Sequence, residues 1–250
     1  MNRTLQKVLG YVGAAVFMLA FWEGMSLLLH SPALPVPLDA FAQVVEQFGK
    51  LVPHFGYSVL RVVAAMGIGL VAGAPLGLIL GRSRRADLVF GPLVFLNYPV
   101  PKVVFLPVLL VILGIGNASI IALIAIIVFF QILVTARDAS RAIPAASVLS
   151  VRSLGADRWQ VFTQVVVPGA MPEIFTALRI GAGTAVAVLF FSESVAGSTG
   201  LGWFVFDAWG RVRYSEMFAG ILAMALLGVL LYEAIELAEA RVCRWERAGR

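Results

Sequence analysis

Six apolar runs, each about long enough to cross a lipid bilayer, decide what this chain can fold into. A helix needs about 20 apolar residues to span the hydrocarbon core. Five runs are continuous and prolines interrupt the other; the runs cover residues 8–29, 57–80, 88–116, 118–135, 173–195 and 216–238. The composition agrees, because 60% of the residues are hydrophobic and 13% are charged, whereas soluble domains hold about 25% charged residues. The sequence therefore predicts an all-α, polytopic membrane protein whose single transmembrane domain, residues 1–250, contains six spans.

The first run follows a polar start that carries Arg3 and Lys7. It is too long for the apolar core of a signal peptide and lacks a small-residue cleavage site, so we interpret it as the first span. Glu23 lies near the far end of this run. Its carboxylate either reaches the interface, or bonds to another helix, or takes part in transport.

Residues 30–56 are rich in proline and then amphipathic. Asp39 is placed to cap a helix over residues 40–51, which we expect to lie on the membrane surface. His30 and His54 are far apart and have no cysteine nearby, so we expect both at the surface and predict no metal site. The single cysteine excludes an intramolecular disulfide.

Glycine recurs every four residues along the second run, at Gly69, Gly73, Gly77 and Gly81. Small residues at this period share one helical face, where they let another membrane helix approach closely. We therefore expect these glycines to pack against a neighbouring span. Pro75 lies among them and predicts a kink.

Four prolines break the third run, namely Pro92, Pro99, Pro101 and Pro107. Broken backbone at membrane depth is tolerated where protein covers it or where it lines a watery cavity. Asn97 and Lys102 lie in this broken stretch, which makes them candidates for a transport pathway. Lys102 would suit an anionic substrate, or else it reaches an interface or pairs with a carboxylate.

The fifth run ends with a buried acid, Glu193, directly after Ser192. Both are pathway candidates. Glu193 either pairs with Lys102, or lines the pathway, or has a structural role. Beyond it, residues 198–215 are predicted to form an outer loop whose aromatic residues, Trp203, Trp209 and Tyr214, suit the membrane interface.

A long polar segment, residues 137–171, separates the fourth and fifth runs and predicts a helix–glycine–helix hairpin. Pro144 can open the first helix, and Asp157 with Gln160 forms the pattern of a capping box that opens the second. Gly155 permits the turn between them. Pro168 and Pro172 are expected to end the second helix. The expected contact residues are Leu149, Leu154, Val161, Phe162 and Val165, with Arg152 and Arg158 as charged ones.

The distribution of basic residues orients the chain. With both termini in the cytoplasm, 13 of the 19 Lys and Arg residues fall on the cytoplasmic side and 3 on the outside. Cytoplasmic loops carry this excess in membrane proteins. The hairpin is thereby predicted to be cytoplasmic.

These features resemble the membrane permeases of ABC importers of the nitrate, sulfonate and taurine type. In the hairpin, Gly155-Ala156, Phe162, Val167-Pro168 and Pro172 match the spacing of that family's coupling loop, and Arg179 and Gly181 follow as usual. The family's Glu-Ala-Ala is replaced here by Leu149-Ser150-Val151. The start of the second run, the broken third run and the turn Gly200-Leu201-Gly202 occur in the family's order.

The resemblance implies a type I ABC importer permease in the bacterial inner membrane. Two copies would enclose the pathway, two ATPase subunits would bind ATP and Mg²⁺ and dock on residues 144–168, and a substrate-binding protein would dock outside. The residues implied in this coupling are Leu149, Arg152, Leu154, Gly155, Ala156, Asp157, Trp159, Phe162 and Pro168. The resemblance also implies that the solute is a small sulfonate-like or nitrate-like anion, although some members of the family transport pyrimidine precursors of thiamine.

The sequence does not indicate an enzyme or a nucleic-acid-binding protein. The chain has no phosphate-binding G-x-x-x-x-G-K-[ST] loop, so we expect no ATP hydrolysis and no cofactor on this chain. The net charge of +5 follows membrane topology rather than a nucleic-acid surface. The alternatives are an ion-coupled secondary transporter, with Glu23, Lys102 and Glu193 as its relay, and, more weakly, a membrane-embedded enzyme.

Overall fold

The computed structural model describes residues 3–97 and 99–245, and in these residues every regular element is helical. The basic tail residues Arg247 and Arg250 lie outside the described residues. The helices are α1 Arg3–Leu29, α2 Pro37–Glu46, α3 Phe48–Arg82, α4 Arg84–Asn97, α5 Leu106–Leu113, α6 Asn117–Ala142, α7 Ala145–Ser153, α8 Arg158–Val161, α9 Val167–Ala196, α10 Leu201–Gly210 and α11 Tyr214–Val242. A short 3₁₀ turn, Lys102–Phe105, precedes α5, and a π-turn, Phe162–Val166, joins α8 to α9.

The six predicted spans are confirmed as far as length and composition decide them. Helices α1, α3, α6 and α11, and the continuous segment Arg158–Ala196, are each long and apolar enough to cross a membrane. Helices α4 and α5 together form the sixth span only as a pair bent by 85°. The prolines therefore break this span as the sequence predicted.

The contact between α3 and α6 forms the centre of the molecule, and the glycine series lies in it. A Cβ atom on Gly69 would lie 2.9 Å from Val128 Cγ1, and one on Gly73 would lie 2.8 Å from the carbonyl oxygen of Phe129. At Gly77 and Gly81 the carbonyl oxygens of α6 would be closer still. The backbones of the two helices therefore touch, which no side chain larger than hydrogen would permit.

Helix α6 is enclosed because α9 covers much of the surface that α3 leaves open. Its apolar residues Ile120, Leu123, Ile124, Val128 and Ile132 are fully buried. From α9, Ala170, Ile174, Ala182, Ala185 and Leu189 belong to the same core. Helices α3, α6 and α9 thus make one packed unit that the other spans surround.

Helix α1 lies at the margin of this unit, and most of the apolar side chains in residues 12–29 are exposed. It is held at one end, where Trp22 Nε1 donates to the carbonyl oxygen of Pro35 at 2.9 Å and the ring stacks on Phe218 with centroids 5.2 Å apart. Ser26 Oγ donates to the carbonyl oxygen of Leu34 at 2.8 Å. Glu23 is half-buried beside these contacts.

The surface helix begins earlier than predicted, and its expected cap is wrong. Helix α2 starts at Pro37, and the residue before it, Val36, makes no side-chain capping bond. Asp39 lies inside the first turn instead, where a carboxylate still interacts well with the positive end of the helix. Pro37 opens the helix because its missing N–H has no partner at this position.

Pro168 and Pro172 do not end the second helix of the hairpin, contrary to the prediction. Helix α8 passes through the π-turn into α9, with Pro168 in the first turn of α9 and Pro172 inside it. In the π-turn the N–H of Val167 donates to the carbonyl of Phe162, five residues back. Thr163 Oγ1 also donates to the carbonyl of Trp159 at 2.9 Å, so side chains satisfy backbone groups that a regular helix would pair.

The predicted outer loop is also largely helical, because residues 201–210 form α10. Leu201, Phe204, Val205 and Ala208 are buried on its inner face. Trp203 is half-buried, whereas Trp209 and Phe206 are exposed and their rings lie 5.3 Å apart.

The α3–α6 contact yields a prediction for stability. Gly77→Ala should lower the thermal stability of the purified protein, because the new methyl group would collide with the carbonyl oxygen of Leu133. We expect a loss of about 1–3 kcal/mol, measured as the unfolding free energy or melting temperature in detergent. Gly67→Ala is the matched control, since a Cβ atom there meets nothing within 4 Å. Equal stability of the two variants would contradict the packing described.

Candidate functional site

The hairpin between α6 and α9 turns at one glycine. Gly155 has φ of +90°, a conformation that side chains rarely adopt, and it closes α7. Its N–H donates to the carbonyl of Arg152 at 2.9 Å, and the N–H of Ala156 donates to the carbonyl of Val151 at 3.3 Å. These are bonds of the kind that end a helix when a glycine follows it. Pro144 stands directly before α7, as its N-cap residue.

The capping box predicted for the second half of the hairpin is confirmed. The N–H of Gln160 donates to Asp157 Oδ1 at 2.8 Å, and the N–H of Asp157 donates to Gln160 Oε1 at 2.9 Å. Reciprocal bonds of this kind satisfy two orphan donors, and loss of such a cap costs about 1 kcal/mol. Both sides of the Gly155 turn therefore have fixed geometry.

Large apolar side chains project from this rigid turn into open space. Leu154 is 87% exposed, Trp159 70% and Leu149 63%. Phe162 is half-buried and stacks on Trp159 with ring centroids 6.0 Å apart. Exposed apolar side chains of this size are typical of protein or membrane interaction sites, so these four residues make the hairpin a candidate docking surface.

The remaining hairpin residues of interest lie around this surface or anchor it. Arg152 is exposed and Ala156 is half-buried. Pro168 is half-buried where α9 begins. Val148 on α7 and Val161 on α8 are buried, and the two short helices contact each other.

At the opposite end of the spans, a buried ion pair joins α3 to α9. Arg61 Nη1 donates to Glu193 Oε1 at 2.7 Å, and the two side chains are 3% and 0% exposed. Ser58 Oγ lies 2.9 Å from each carboxylate oxygen, and the N–H of Gly202 donates to Oε2 at 2.8 Å. A buried carboxylate needs partners of this kind, because burial removes its water.

The guanidinium of Arg61 also holds two further segments. Its Nε donates to Asn117 Oδ1, at the start of α6, at 2.8 Å. Its Nη1 and Nη2 donate to the carbonyl and hydroxyl oxygens of Thr199, each at 2.7 Å. We call Ser58, Arg61, Asn117, Glu193, Thr199 and Gly202 the outer cluster, after the side of the membrane on which the sequence predicts residues 198–215. The cluster ties α3, α6, α9 and the start of α10 together at one point.

Sequence reasoning missed Arg61 as the partner of Glu193. Of the roles considered for Glu193, pairing with Lys102 is wrong, because its carboxylate binds Arg61, Ser58 and Gly202 instead. His54 is half-buried rather than at the surface, whereas His30 is exposed as expected. A signal was present, since an arginine inside one apolar run and an acid inside another suggest an ion pair.

The pathway candidates fall into two groups. Lys102 Nζ donates to the carbonyl oxygens of Asn97 and Val100, at 2.9 and 3.2 Å, and lies 4.9 Å from the ring centre of Phe130 on α6. Asn97, at the end of α4, is exposed. Ser192 is buried beside Glu193 and donates to the carbonyl of Val188 at 2.7 Å. The structure therefore brings Asn97 and Lys102 together at the break between α4 and α5, whereas Ser192 is bonded to its own helix.

Residues 73–243 match the family of binding-protein-dependent transport system inner membrane components. The chain belongs to this family. It is a multi-pass membrane permease of an inner membrane transport system, a class of transport components rather than of enzymes.

Curated relatives come from several organisms. The chain is 30% identical to the taurine transport system permease protein TauC of Escherichia coli over 239 residues, which cover 92% of this chain and 87% of that protein. It is 26% identical to the putative aliphatic sulfonates transport permease protein SsuC of Bacillus subtilis, over 92% of this chain and 85% of that protein. It is 28% identical to the nitrate import permease protein NrtB of Synechocystis, over 74% and 67%.

A solved structure agrees on the fold. A chain of the inward-facing MetNI methionine ABC transporter superposes with a TM-score of 0.66 at 21% identity, over 79% of this chain and 98% of that chain. The predicted type I ABC importer permease fold is thereby confirmed. The alternative of an ion-coupled secondary transporter is not favoured, and Glu193, one of the three residues that it requires, is occupied by Arg61.

The outer cluster yields a second stability prediction. Glu193→Gln removes the charge and leaves Arg61 buried without its counter-ion. Breaking a buried pair costs several kcal/mol, so the melting temperature in detergent should fall by about 5 °C or more. Glu236→Gln, at an exposed position on α11, is the control and should not change it. A variant of Glu193 as stable as the control would show that the pair is not structural.

Proposed function

We propose that this permease forms the solute pathway of an ATP-driven importer as a homodimer, and that it couples to two separate ATPase subunits through the hairpin, residues 144–168. The whole chain, residues 1–250, acts as one transmembrane domain. ATP and Mg²⁺ bind to the partner ATPases, and a substrate-binding protein docks on the outer side. The observation that carries this proposal is the exposed apolar surface on the rigid Gly155 turn, in a chain of a binding-protein-dependent transport family.

The hairpin has the properties that a mechanical coupling element needs. Its turn is fixed by Gly155 and by the capping box of Asp157, so it can move as a rigid piece. Leu154, Trp159 and Phe162 are the side chains that would occupy a groove on the ATPase. Because α8 continues through the π-turn into α9, a displacement of the hairpin moves the fifth span directly. Rigid-body movement of this kind is a common mode of switching.

The distribution of basic residues supports an orientation of the chain in the membrane. Arg82, Arg84 and Arg85 lie at one end of α3 and α4, and the hairpin lies at the same end of the bundle as α6 leaves it. The excess of basic residues on this side supports a cytoplasmic location for the hairpin and for both termini. The outer cluster then lies towards the exterior.

The proposed substrate is a small organic or inorganic anion such as a sulfonate or nitrate. Relatives named for taurine, aliphatic sulfonates and nitrate support this class. Within the chain, the ammonium group of Lys102 at the break between α4 and α5 supplies a positive charge. Asn97 beside it supplies an amide on an exposed side chain. These two residues are the proposed pathway contacts.

Substitution of the turn glycine tests the coupling. Gly155→Arg should lower ATP-driven uptake by about tenfold or more in vesicles that contain the whole complex. The reason is that a large side chain at φ of +90° distorts the turn and obstructs the docking surface. The chain should still insert in the membrane. Taurine is the probe for uptake, and ATP hydrolysis is measured in parallel.

The matched variant is Gly155→Asn, because asparagine adopts positive φ more readily than other residues. It should retain more uptake than Gly155→Arg. Normal uptake by Gly155→Arg would refute the role of the hairpin, and uptake that persists without any ATPase subunit would refute the proposed function as a whole.

Lys102 offers a test of the proposed substrate class. Lys102→Gln should lower the uptake of an anionic probe such as taurine by about tenfold, because loss of an attraction worth about 1.4 kcal/mol has this effect and a nearby opposite charge can supply it. Lys102→Arg should retain most of the uptake. Lys50→Gln, an exposed position near the start of α3, is the control. Unchanged uptake by Lys102→Gln would remove this residue from the pathway.

A further inference from the structure

Side chains on one face of α3 form hydrogen bonds with the turn that leads into α10. His54, Ser58 and Arg61 are spaced four and three residues apart, so they line up on one side of the helix. Arg61 donates to the carbonyl of Thr199 at 2.7 Å. His54 Nδ1 accepts from the N–H of Gly200 at 3.0 Å, and Ser58 Oγ accepts from the N–H of Leu201 at 2.8 Å. Three consecutive residues of the turn are therefore each bound by one residue of α3.

The turn is pressed closely onto the outer cluster. Gly200 is buried and has φ of +105°, and a Cβ atom there would collide with the carboxylate of Glu193. The imidazole of His54 is stacked on Trp203 with centroids 5.1 Å apart, and lies 5.7 Å from the ring of Phe204. Both aromatic residues belong to α10, so His54 fixes the turn and the helix that follows it.

The bond from Gly200 requires a neutral imidazole. A backbone N–H can only donate, so Nδ1 must be the unprotonated nitrogen and Nε2 carries the hydrogen. Protonation would place two N–H groups against each other and break this bond. Histidine is the side chain whose charge changes in the mildly acidic range, so His54 is the member of the row that responds to acid.

The charged groups around His54 do little to stabilise a protonated imidazole. Arg61, two turns along α3, is a positive charge. Glu193 on α9 already binds Arg61 at 2.7 Å, and Asp207 on α10 already binds Arg211 at 2.9 Å. A charged imidazole would therefore face a cation and two acids that each hold an arginine.

His54 is also close to the outer solution in the proposed orientation. Helix α3 has 35 residues, which makes it about 52 Å long, whereas the hydrocarbon core is about 30 Å thick. With Arg82 at the cytoplasmic interface, His54 lies about 42 Å away along the helix, about 12 Å beyond the hydrocarbon core. External protons can reach that depth.

We propose that His54 is a positioning residue that holds the Thr199–Leu201 turn and α10 against α3 only while its imidazole is neutral, so that acidification of the outer solution releases this outer segment and slows uptake. This inference rests on the proposed function for its orientation and for its effect on uptake. The release itself is a property of the chain and is measured without a substrate.

The test places a nitroxide spin label at the exposed Ser198, as Ser198→Cys in a Cys243→Ser background, in the complex with its ATPase. Between about pH 7.5 and about pH 5, the mobile fraction of the label should rise about twofold or more. With His54→Asn added, an amide oxygen can still accept from Gly200 but does not titrate, so this rise should disappear. His30→Asn alters the other histidine, which is exposed, and should keep the rise.

A mobile fraction that does not change with pH, or that changes equally with His54→Asn, would overturn the inference. Taurine uptake by the unlabelled complex at constant internal pH and ATP gives the second readout, with an expected fall of about twofold or more at about pH 5. Absence of uptake by the unlabelled complex even at neutral pH would count against the proposed function. The mobility of the spin label tests the role of His54 separately, because it is measured without a substrate.

Discussion

The close contact between α3 and α6 is the constraint on which the rest of the structure depends. Membrane helices gain nothing from hiding apolar surface, since lipid is as apolar as their side chains, so they associate through close packing and hydrogen bonds. Here four glycines, Gly69, Gly73, Gly77 and Gly81, bring the backbone of α3 against that of α6. Helix α9 then covers α6, and α2, α10 and α11 pack on α3 or α9. A larger side chain at the glycines would separate the two helices on which this packing rests.

The two ends of this unit differ in a way that suits a transmission element. At the outer end the Arg61–Glu193 pair, with Ser58, Asn117 and Thr199, joins the three helices through buried polar contacts. At the other end the hairpin carries exposed apolar side chains and continues through the π-turn into α9. A displacement of the hairpin would therefore reach α9 and, through it, the packed unit of α3, α6 and α9, as the proposed coupling requires.

Sequence patterns fixed by local chemistry could be predicted, and those set by neighbouring helices could not. The six spans, the glycine face, the capping box and the positive φ of Gly155 each follow from residues within one continuous stretch of sequence. The continuation of α8 through Pro168 depends on a π-turn and on a bond from Thr163, which no proline rule contains. Glu193 was recognised as buried, yet its partner Arg61 lies 132 residues away in sequence, and only the packing of α3 against α9 brings them together.

The most direct test of the account is the side of the membrane on which Leu154 lies. Leu154→Cys should react with a membrane-impermeant maleimide only in inside-out vesicles, and the purified ATPase partner should protect it, because this side chain is 87% exposed at the tip of the proposed docking surface. The native chain is the control, since Cys243 is buried. Labelling in intact, right-side-out cells would contradict the account, since it would place the hairpin outside and out of reach of any cytoplasmic ATPase.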